Sequence, residues 1–485
     1  MLAVSVNQPG FQYELHALVS AFYPGVTVKV VSNDDLTSST GGLPDIMVGI
    51  NGDQALFASF TDEGPQDVIS ADLDGVTDKA VRKQLVGRLV YMGLNQLTGK
   101  RLPWGTLTGI RPVKLVSGLI RDGLEEADLK EYMQTVYMIS DEKLALASRI
   151  AMIQQPVVDS LSPEGFSLYI GIPFCPSRCL YCSFTSYPAD RCEDLMDPYL
   201  EALFREIDFA AERFAEIGPD SIYIGGGTPT SLSPERLCRL LEKVNSSFDR
   251  SRLKEFTVEA GRPDSIDAEK LRVLKEAKVS RISINPQTMN PETLGRIGRK
   301  HTPEDIIRAF EISRKAGFRN INADIILGLP GEGPSEVKRT MEEIEKLSPE
   351  SLTVHSLAIK RSSKLKEELR EDVSRGAIEN TEEMMRLTSE GAARMGMDPY
   401  YLYRQKNIAG NFENTGYAKA GCYGIYNVAI MEEVQSIVAL GAGTVTKRVY
   451  PGGRIERCDT VKDLKLYLEK TDEMIERKRK LFDGD

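Results

Sequence analysis

Cys175, Cys179 and Cys182 lie within the run Ile172-Pro173-Phe174-Cys175-Pro176-Ser177-Arg178-Cys179-Leu180-Tyr181-Cys182, so a Cys-x3-Cys-x2-Cys spacing supplies three thiolates from one loop. Cysteine thiolates hold iron–sulfur clusters, and a cubane [4Fe–4S] cluster is normally held by four of them. Three ligands would leave one iron open to bind and activate a small molecule. A structural zinc site needs four ligands, usually as two paired knuckles. Here Cys179-x2-Cys182 has no second knuckle and the only histidines are His16, His301 and His355. Cys192 is available as a distant fourth ligand, so zinc remains open. A disulfide framework is disfavoured, because seven cysteines in 485 residues is an odd and low count.

Composition bounds what such a site belongs to. A chain of 485 residues exceeds one compact core and predicts two or three domains. With 41% hydrophobic residues and mixed charge it reads as globular, and a formal charge of −10 argues against nonspecific nucleic-acid binding. No apolar run approaches the roughly 20 residues needed to span a bilayer, and the start lacks an export signal. A cytoplasmic protein is expected, a setting that keeps thiols reduced.

The elements that must position the cysteines follow from hydrophobic periodicity. Strands are predicted at Ser167 to Ile172, Ser221 to Ile224, Glu255 to Glu259, Arg281 to Asn285, Ile321 to Leu327 and Ser351 to Leu357. Between them run helical patterns at Asp197 to Ala215, Pro234 to Asn245, Ala268 to Ala277, Pro303 to Ala316 and Pro334 to Leu347, several opened by proline in its favoured first-turn position. Six strands alternating with helices read as a parallel βα array. The fold class is α/β: a partial (β/α)6 barrel over 161–360, an N-terminal α+β domain with a helical linker over 1–160, and a smaller C-terminal domain over 361–485. The last is expected to open with a charged helix and to cover the substrate.

Unusual residues recur where barrel strands end, the edge on which barrels build their active sites. The cysteines follow the first strand and Gly225-Gly226-Gly227-Thr228-Pro229-Thr230 follows the second. Glu259 closes the third, Gln287 follows the fourth and Asp324 lies in the fifth. Glycines there let backbone approach a ligand closely, although the triplet alone reads equally as a tight turn. A carboxylate closing an apolar strand needs a cation or several donors, and Arg262 or Arg281 could meet Glu259 in a purely structural ion pair.

In combination these motifs resemble the radical S-adenosylmethionine (SAM) superfamily. The run Leu168 to Cys175, the Gly-Gly-Gly-Thr-Pro-Thr segment, Ile282-Ser283-Ile284-Asn285-Pro286-Gln287 and Asp324-x3-Gly328-Leu329-Pro330 are similar to the oxygen-independent coproporphyrinogen III dehydrogenase group. Pro399 to Asn407 and Gly441-Ala442-Gly443 look most like its HemZ branch. The resemblance implies a [4Fe–4S] cluster on Cys175, Cys179 and Cys182, with SAM chelated at the open iron and cleaved to a deoxyadenosyl radical. It implies Tyr169 beside SAM, Gly226, Gly227 and Thr228 at the methionine end, polar SAM contacts from Glu259, Gln287, Arg299 and Asp324, and backbone of Ala358 near the adenine. Two positions depart from the better-understood enzymes of the group: Phe184 stands where they have cysteine, and Gly171 where they have histidine.

The implied reaction is oxidative decarboxylation of coproporphyrinogen III to protoporphyrinogen IX in anaerobic heme biosynthesis. Two propionates would become vinyl groups, each consuming one SAM, with electrons from an external donor. A substrate with four propionates calls for basic residues, and Arg262, Arg404 and Lys406 are the candidates, with Lys360, Arg361, Arg111 and Lys114 also available. Tyr400, Tyr401 and Tyr403 could line a tetrapyrrole or simply pack a core. The alternatives are a HemW-like heme chaperone, for which His301, His355, Cys422 and Cys458 are the available heme ligands, and an anaerobic heme-modifying radical SAM enzyme.

Overall fold

The protein is described from a computed structural model covering residues 1–32, 44–61, 63–109, 111–358, 380–405, 408 and 412–484. It divides into two compact units, Met1–Ala151 with Tyr403–Glu413, and Met152–Leu402 with Asn414–Asp485.

The first unit carries a five-stranded sheet in the order β2-β1-β3-β4-β5, formed by β1 (Leu2–Val6), β2 (Val28–Ser32), β3 (Ile46–Asn51), β4 (Gln54–Thr61) and β5 (Gly64–Asp72). β1 pairs parallel with β2 and β3, and the remaining pairs are antiparallel. The helices Gln12–Phe22 and Lys79–Thr98 bury Leu15, Val19, Val90 and Leu94 in one core with Val4, Val48 and Phe57. Asp78 caps the long helix by accepting from Ala80 and Val81 N–H groups, and Gly99 ends it at φ +68°. Helices follow at Pro112–Arg121, Glu126–Tyr137 and Asp141–Ser160.

The segment Tyr403–Glu413 belongs to this unit. Glu413 is buried and accepts from Trp104 Nε1 at 2.7 Å and from Lys143 Nζ at 2.7 Å. Arg404 stacks on the Trp104 ring at 5.7 Å and donates to the Leu107 carbonyl. This corrects the expectation that Arg404 binds a substrate propionate: the residue is 3% exposed and its guanidinium is engaged inside the N-terminal unit. Burial pushes its pKa down to about 10, opposed by the neighbouring Glu413. Lys406, Lys360 and Arg361 lie outside the described residues, as does the predicted charged opening of the 361–485 segment up to residue 379.

The second unit is organised on an eleven-stranded sheet. Its centre is the predicted parallel series, β6 (Phe166–Ile172), β9 (Ser221–Gly226), β10 (Glu255–Gly261), β11 (Arg281–Gln287), β12 (Ile321–Leu327) and β13 (Ser351–Ser356). β7 (Phe174–Cys175) and β8 (Tyr187–Pro188) form a separate short pair around the cysteine loop. Helices Glu193–Arg213, Pro234–Ser247, Ala268–Glu276, Pro303–Lys315 and Pro334–Leu347 fill the crossovers. Ser233, Asp267 and Thr302 cap three of them by accepting from the first-turn backbone. Beyond β13 lie β15 (Asn414–Ala418), antiparallel, and β14 (Asp398–Tyr403). On the other edge, β16 (Ser436–Leu440) pairs parallel with β6 and is followed by β17 (Val445–Val449) and β18 (Ile455–Asp459). Tyr400 and Tyr401 are 1% and 5% exposed and pack edge to face at 4.8 Å, which decides for core over ligand lining.

Candidate functional site

The carboxyl ends of the parallel strands gather the predicted residues. The register puts Gly171 beside Gly225 and Ile172 beside Gly226, so the triplet lies against the strand that launches the cysteine loop. Gly227 N–H donates to the Ile172 carbonyl at 2.8 Å and Thr228 N–H to the Phe174 carbonyl at 2.7 Å. Thr228 Oγ1 lies 3.4 Å from Cys175 Sγ. A Cβ on Gly227 would stand 2.6 Å from the Phe174 carbonyl oxygen and 3.1 Å from Cys175 Sγ, and Gly226 has φ +107°. The glycines are therefore required by close backbone approach, not only by a turn.

Burial raises the Cys175 thiol to about 11, partly offset by Thr228, and also raises Cys182. Both thiols favour the protonated form until a ligand replaces the proton. Among the described residues no three His, Cys, Asp or Glu side chains are gathered to hold one metal ion. Each thiolate of a cubane takes a different iron, so its ligands stand further apart than those of a single zinc. Cys192 stands at the N-terminus of Glu193–Arg213, its thiol raised by burial and by Asp194 and Asp190.

Glu259 is held at the end of β10 by Tyr223, whose hydroxyl donates to it at 2.6 Å. A Cβ on Gly225 would meet Glu259 Cδ and Tyr223 Cε1, each at 2.8 Å, so the first glycine of the triplet makes room for this pair. Tyr223 stacks on Tyr426 at 4.6 Å and on Tyr169 at 6.0 Å. Burial pushes the Glu259 pKa up to about 7, with Asp324 also raising it and Tyr223 opposing. Neither structural partner weighed from sequence is used: Arg262 pairs with Asp264 at 2.6 Å, and Arg281 donates to Ser351 and to the Cys422 carbonyl.

Gln287 adopts φ +69°, uncommon for a residue with a side chain. Among the described residues its Oε1 is buried without a hydrogen-bond partner, an orphan acceptor of the kind a bound ligand satisfies. Arg299 donates to the Asn285 carbonyl at 2.5 Å and the Tyr181 hydroxyl at 3.1 Å. Asp324 accepts from Asn322 at 2.6 Å and lies 3.9 Å from His355 Nε2. Ala358, half-buried, follows β13.

Arg262 again requires correction. Its guanidinium donates to the Ser177 carbonyl and hydroxyl and lies 4.0 Å from Cys179 Sγ, so it serves the cysteine loop rather than a substrate pocket. Tyr223, Tyr426, Asn285 and Asn322 were not singled out from sequence. Only the alternation of β9, which turns Tyr223 to the same side as Gly225, could have signalled the first of them.

Comparison with known proteins agrees with this geometry. The radical SAM superfamily pattern matches residues 169–344. The Bacillus subtilis oxygen-independent coproporphyrinogen-III oxidase-like protein HemZ is 41% identical over 424 residues, 84% of each chain. The B. subtilis heme chaperone HemW is 40% identical over 194 residues, covering 40% of this chain and 50% of HemW. The solved Escherichia coli coproporphyrinogen III oxidase HemN shares the fold at TM-score 0.52 and 23% identity, covering 67% of this chain and 73% of HemN. Fold and site thus define a radical SAM protein, whose cofactors are a [4Fe–4S] cluster and SAM. Within that class, the chain belongs to the family of the oxygen-independent coproporphyrinogen-III oxidase-like protein HemZ.

Proposed function

We propose that this protein is a coproporphyrinogen III dehydrogenase, converting propionate side chains to vinyl groups on the route to protoporphyrinogen IX. The observation that carries the reading is the similarity to HemZ over 84% of both chains. Cys175, Cys179 and Cys182 would hold the cluster, which with SAM would supply hydrogen-atom abstraction from the propionate β-carbon; loss of carbon dioxide and transfer of one electron to an external acceptor would then leave the vinyl group. The chain's own part is to hold SAM. Gly226, Gly227 and Thr228 offer backbone to its methionine end. Glu259, Gln287, Arg299 and Asp324 offer polar groups to its ribose and carboxylate, and Tyr169 and the Ala358 backbone flank it. Fixing the reacting atoms in line and excluding water is the main contribution a protein makes to cofactor chemistry. Phe184, 66% exposed and two residues past Cys182, gives a tetrapyrrole an apolar surface. An external electron donor and a cytoplasmic setting belong to the same reading.

A heme chaperone is the second reading, favoured by the similarity to HemW. Of its possible heme ligands, the His301 side chain is fully buried while that of His355 is 30% exposed. One assay separates the readings. Anaerobically purified and reconstituted protein is given SAM, reductant and coproporphyrinogen III. Protoporphyrin fluorescence with deoxyadenosine release is the expected result, whereas stable heme binding without turnover would sink the dehydrogenase. A Cys179→Ala variant should lose the cluster's visible absorbance and SAM cleavage together.

A further inference from the structure

Arg262 is buried against the cysteine loop and its donors are divided between two tasks. Nε and Nη2 grip Asp264 at 2.9 and 2.6 Å. Nη1 turns the other way, to the Ser177 hydroxyl at 2.6 Å, the Ser177 carbonyl at 3.1 Å and Cys179 Sγ at 4.0 Å. Ser177 is itself tied to the Gly298 carbonyl at 3.3 Å. The carboxylate thus fixes the guanidinium by a bidentate fork and leaves one edge aimed at the loop. His301 lies 4.0 Å from Asp264. Burial and the cation of Arg299 push its pKa down to about 4, so it is neutral and Arg262 is the cation that Asp264 grips.

We propose that Arg262, oriented by Asp264, is a positioning residue that presents a permanent positive charge and an N–H to the Cys179 thiolate and thereby raises the reduction potential of the [4Fe–4S] cluster. Reduction adds one negative charge to the cluster, and nearby positive charge and hydrogen bonds to its sulfurs favour the reduced state. A guanidinium does not lose its proton in a protein, so the bias is constant across the working pH range. Arg299 also faces Cys179 but is shared with Tyr181 and Asn285. Among the described residues, Arg262 meets the loop at Ser177 and Cys179, and its charge also reaches the Cys175 thiol. The inference rests on the superfamily's cofactors and not on the substrate, so a failure of the coproporphyrinogen assay leaves it intact.

The test is a reductive titration of the reconstituted full-length protein followed by electron paramagnetic resonance, alongside iron content. Arg262→Gln should shift the midpoint potential to more negative values, and Arg262→Lys, which keeps the charge but not the fork, should shift it less. Asp264→Asn removes the countercharge and should move the potential the opposite way, upward. A purely structural anchor would change iron retention without opposed shifts in potential. Wild-type potentials in Arg262→Gln and Asp264→Asn at full iron content, or shifts of the same sign, overturn the proposal. Should Arg262→Gln fail to retain iron, Asp264→Asn and Arg262→Lys decide by the same signs.

Discussion

Glu259, proposed above to meet SAM, would tie ligand binding to pH. Its ordinary pKa is about 4.3, and burial in the fold raises it to about 7. Between those values the folded state keeps a proton that the unfolded state has lost, so stability falls as pH rises through that window. The groups facing this carboxylate are the Tyr223, Tyr169 and Tyr426 phenols and the Asp324 carboxylate, none of them a cation. SAM-free protein should therefore lose thermal stability between pH 5 and 8 relative to a Glu259→Gln variant. The gap should be roughly 2–4 °C for each kcal/mol that ionisation costs. Scanning calorimetry of the pair at both pH values checks this; parallel curves would show that Glu259 titrates normally. Tyr223→Phe, which keeps the stack but loses the 2.6 Å bond, should raise the Glu259 pKa further and move the pH midpoint of SAM affinity upward, measured by calorimetric titration.

At the scale of elements, the β9 glycine turn and the cysteine loop are one object. Gly227→Ala would drive a methyl group to 2.6 Å from the Phe174 carbonyl. The loop must then shift, and reconstituted protein should hold markedly less iron per chain while its far-ultraviolet circular dichroism is unchanged. The six parallel strands were legible because both faces of each are buried, which writes an apolar run bounded by helix-opening prolines. Glu259, Gln287 and Asp324 were legible because polar groups at apolar strand ends break that pattern. Arg262 and Arg404 were misread for one reason: sequence shows a cation but not the acceptor that consumes it, here Asp264 and the Leu107 carbonyl. The assignment of Tyr403–Glu413 to the N-terminal unit was illegible too, since pairing across some 300 positions leaves no local periodicity. Trp104, the chain's one tryptophan, reports on it. Glu413→Ala should shift its emission and destabilise the first unit by roughly 3–5 kcal/mol, the usual cost of stranding a buried partner such as Lys143. An unchanged emission maximum in the variant would count against the contact.

Over the second unit as a whole, the C-terminal stretch holds the start of the barrel. Glu206 in the helix Glu193–Arg213 and Lys478 in the helix Thr471–Asp483 form an ion pair at 2.5 Å with both side chains wholly buried. Glu206 also accepts from Tyr467 and from Gly441 N–H, and Tyr199 donates to the Gly171 carbonyl at 2.6 Å. Lys478→Met alone should cost roughly 3–5 kcal/mol in urea unfolding, and combining it with Glu206→Leu should cost less than the sum of the two single changes, because both remove the same ion pair. A double-variant loss equal to the sum of the two single losses would mean the pair is not coupled. β6, which launches the cysteine loop, has β9 on one side and on the other β16, more than 260 residues later in the chain. A nascent chain emerging from the ribosome therefore carries its three cysteines long before the strand that seals β6 has been made. Until Ser436–Leu440 arrives, that strand is an open edge, the kind that recruits wrong partners. Timing follows from this pairing: a chain halted short of β16 leaves β6 unpaired on that side and should be retained by chaperones or degraded.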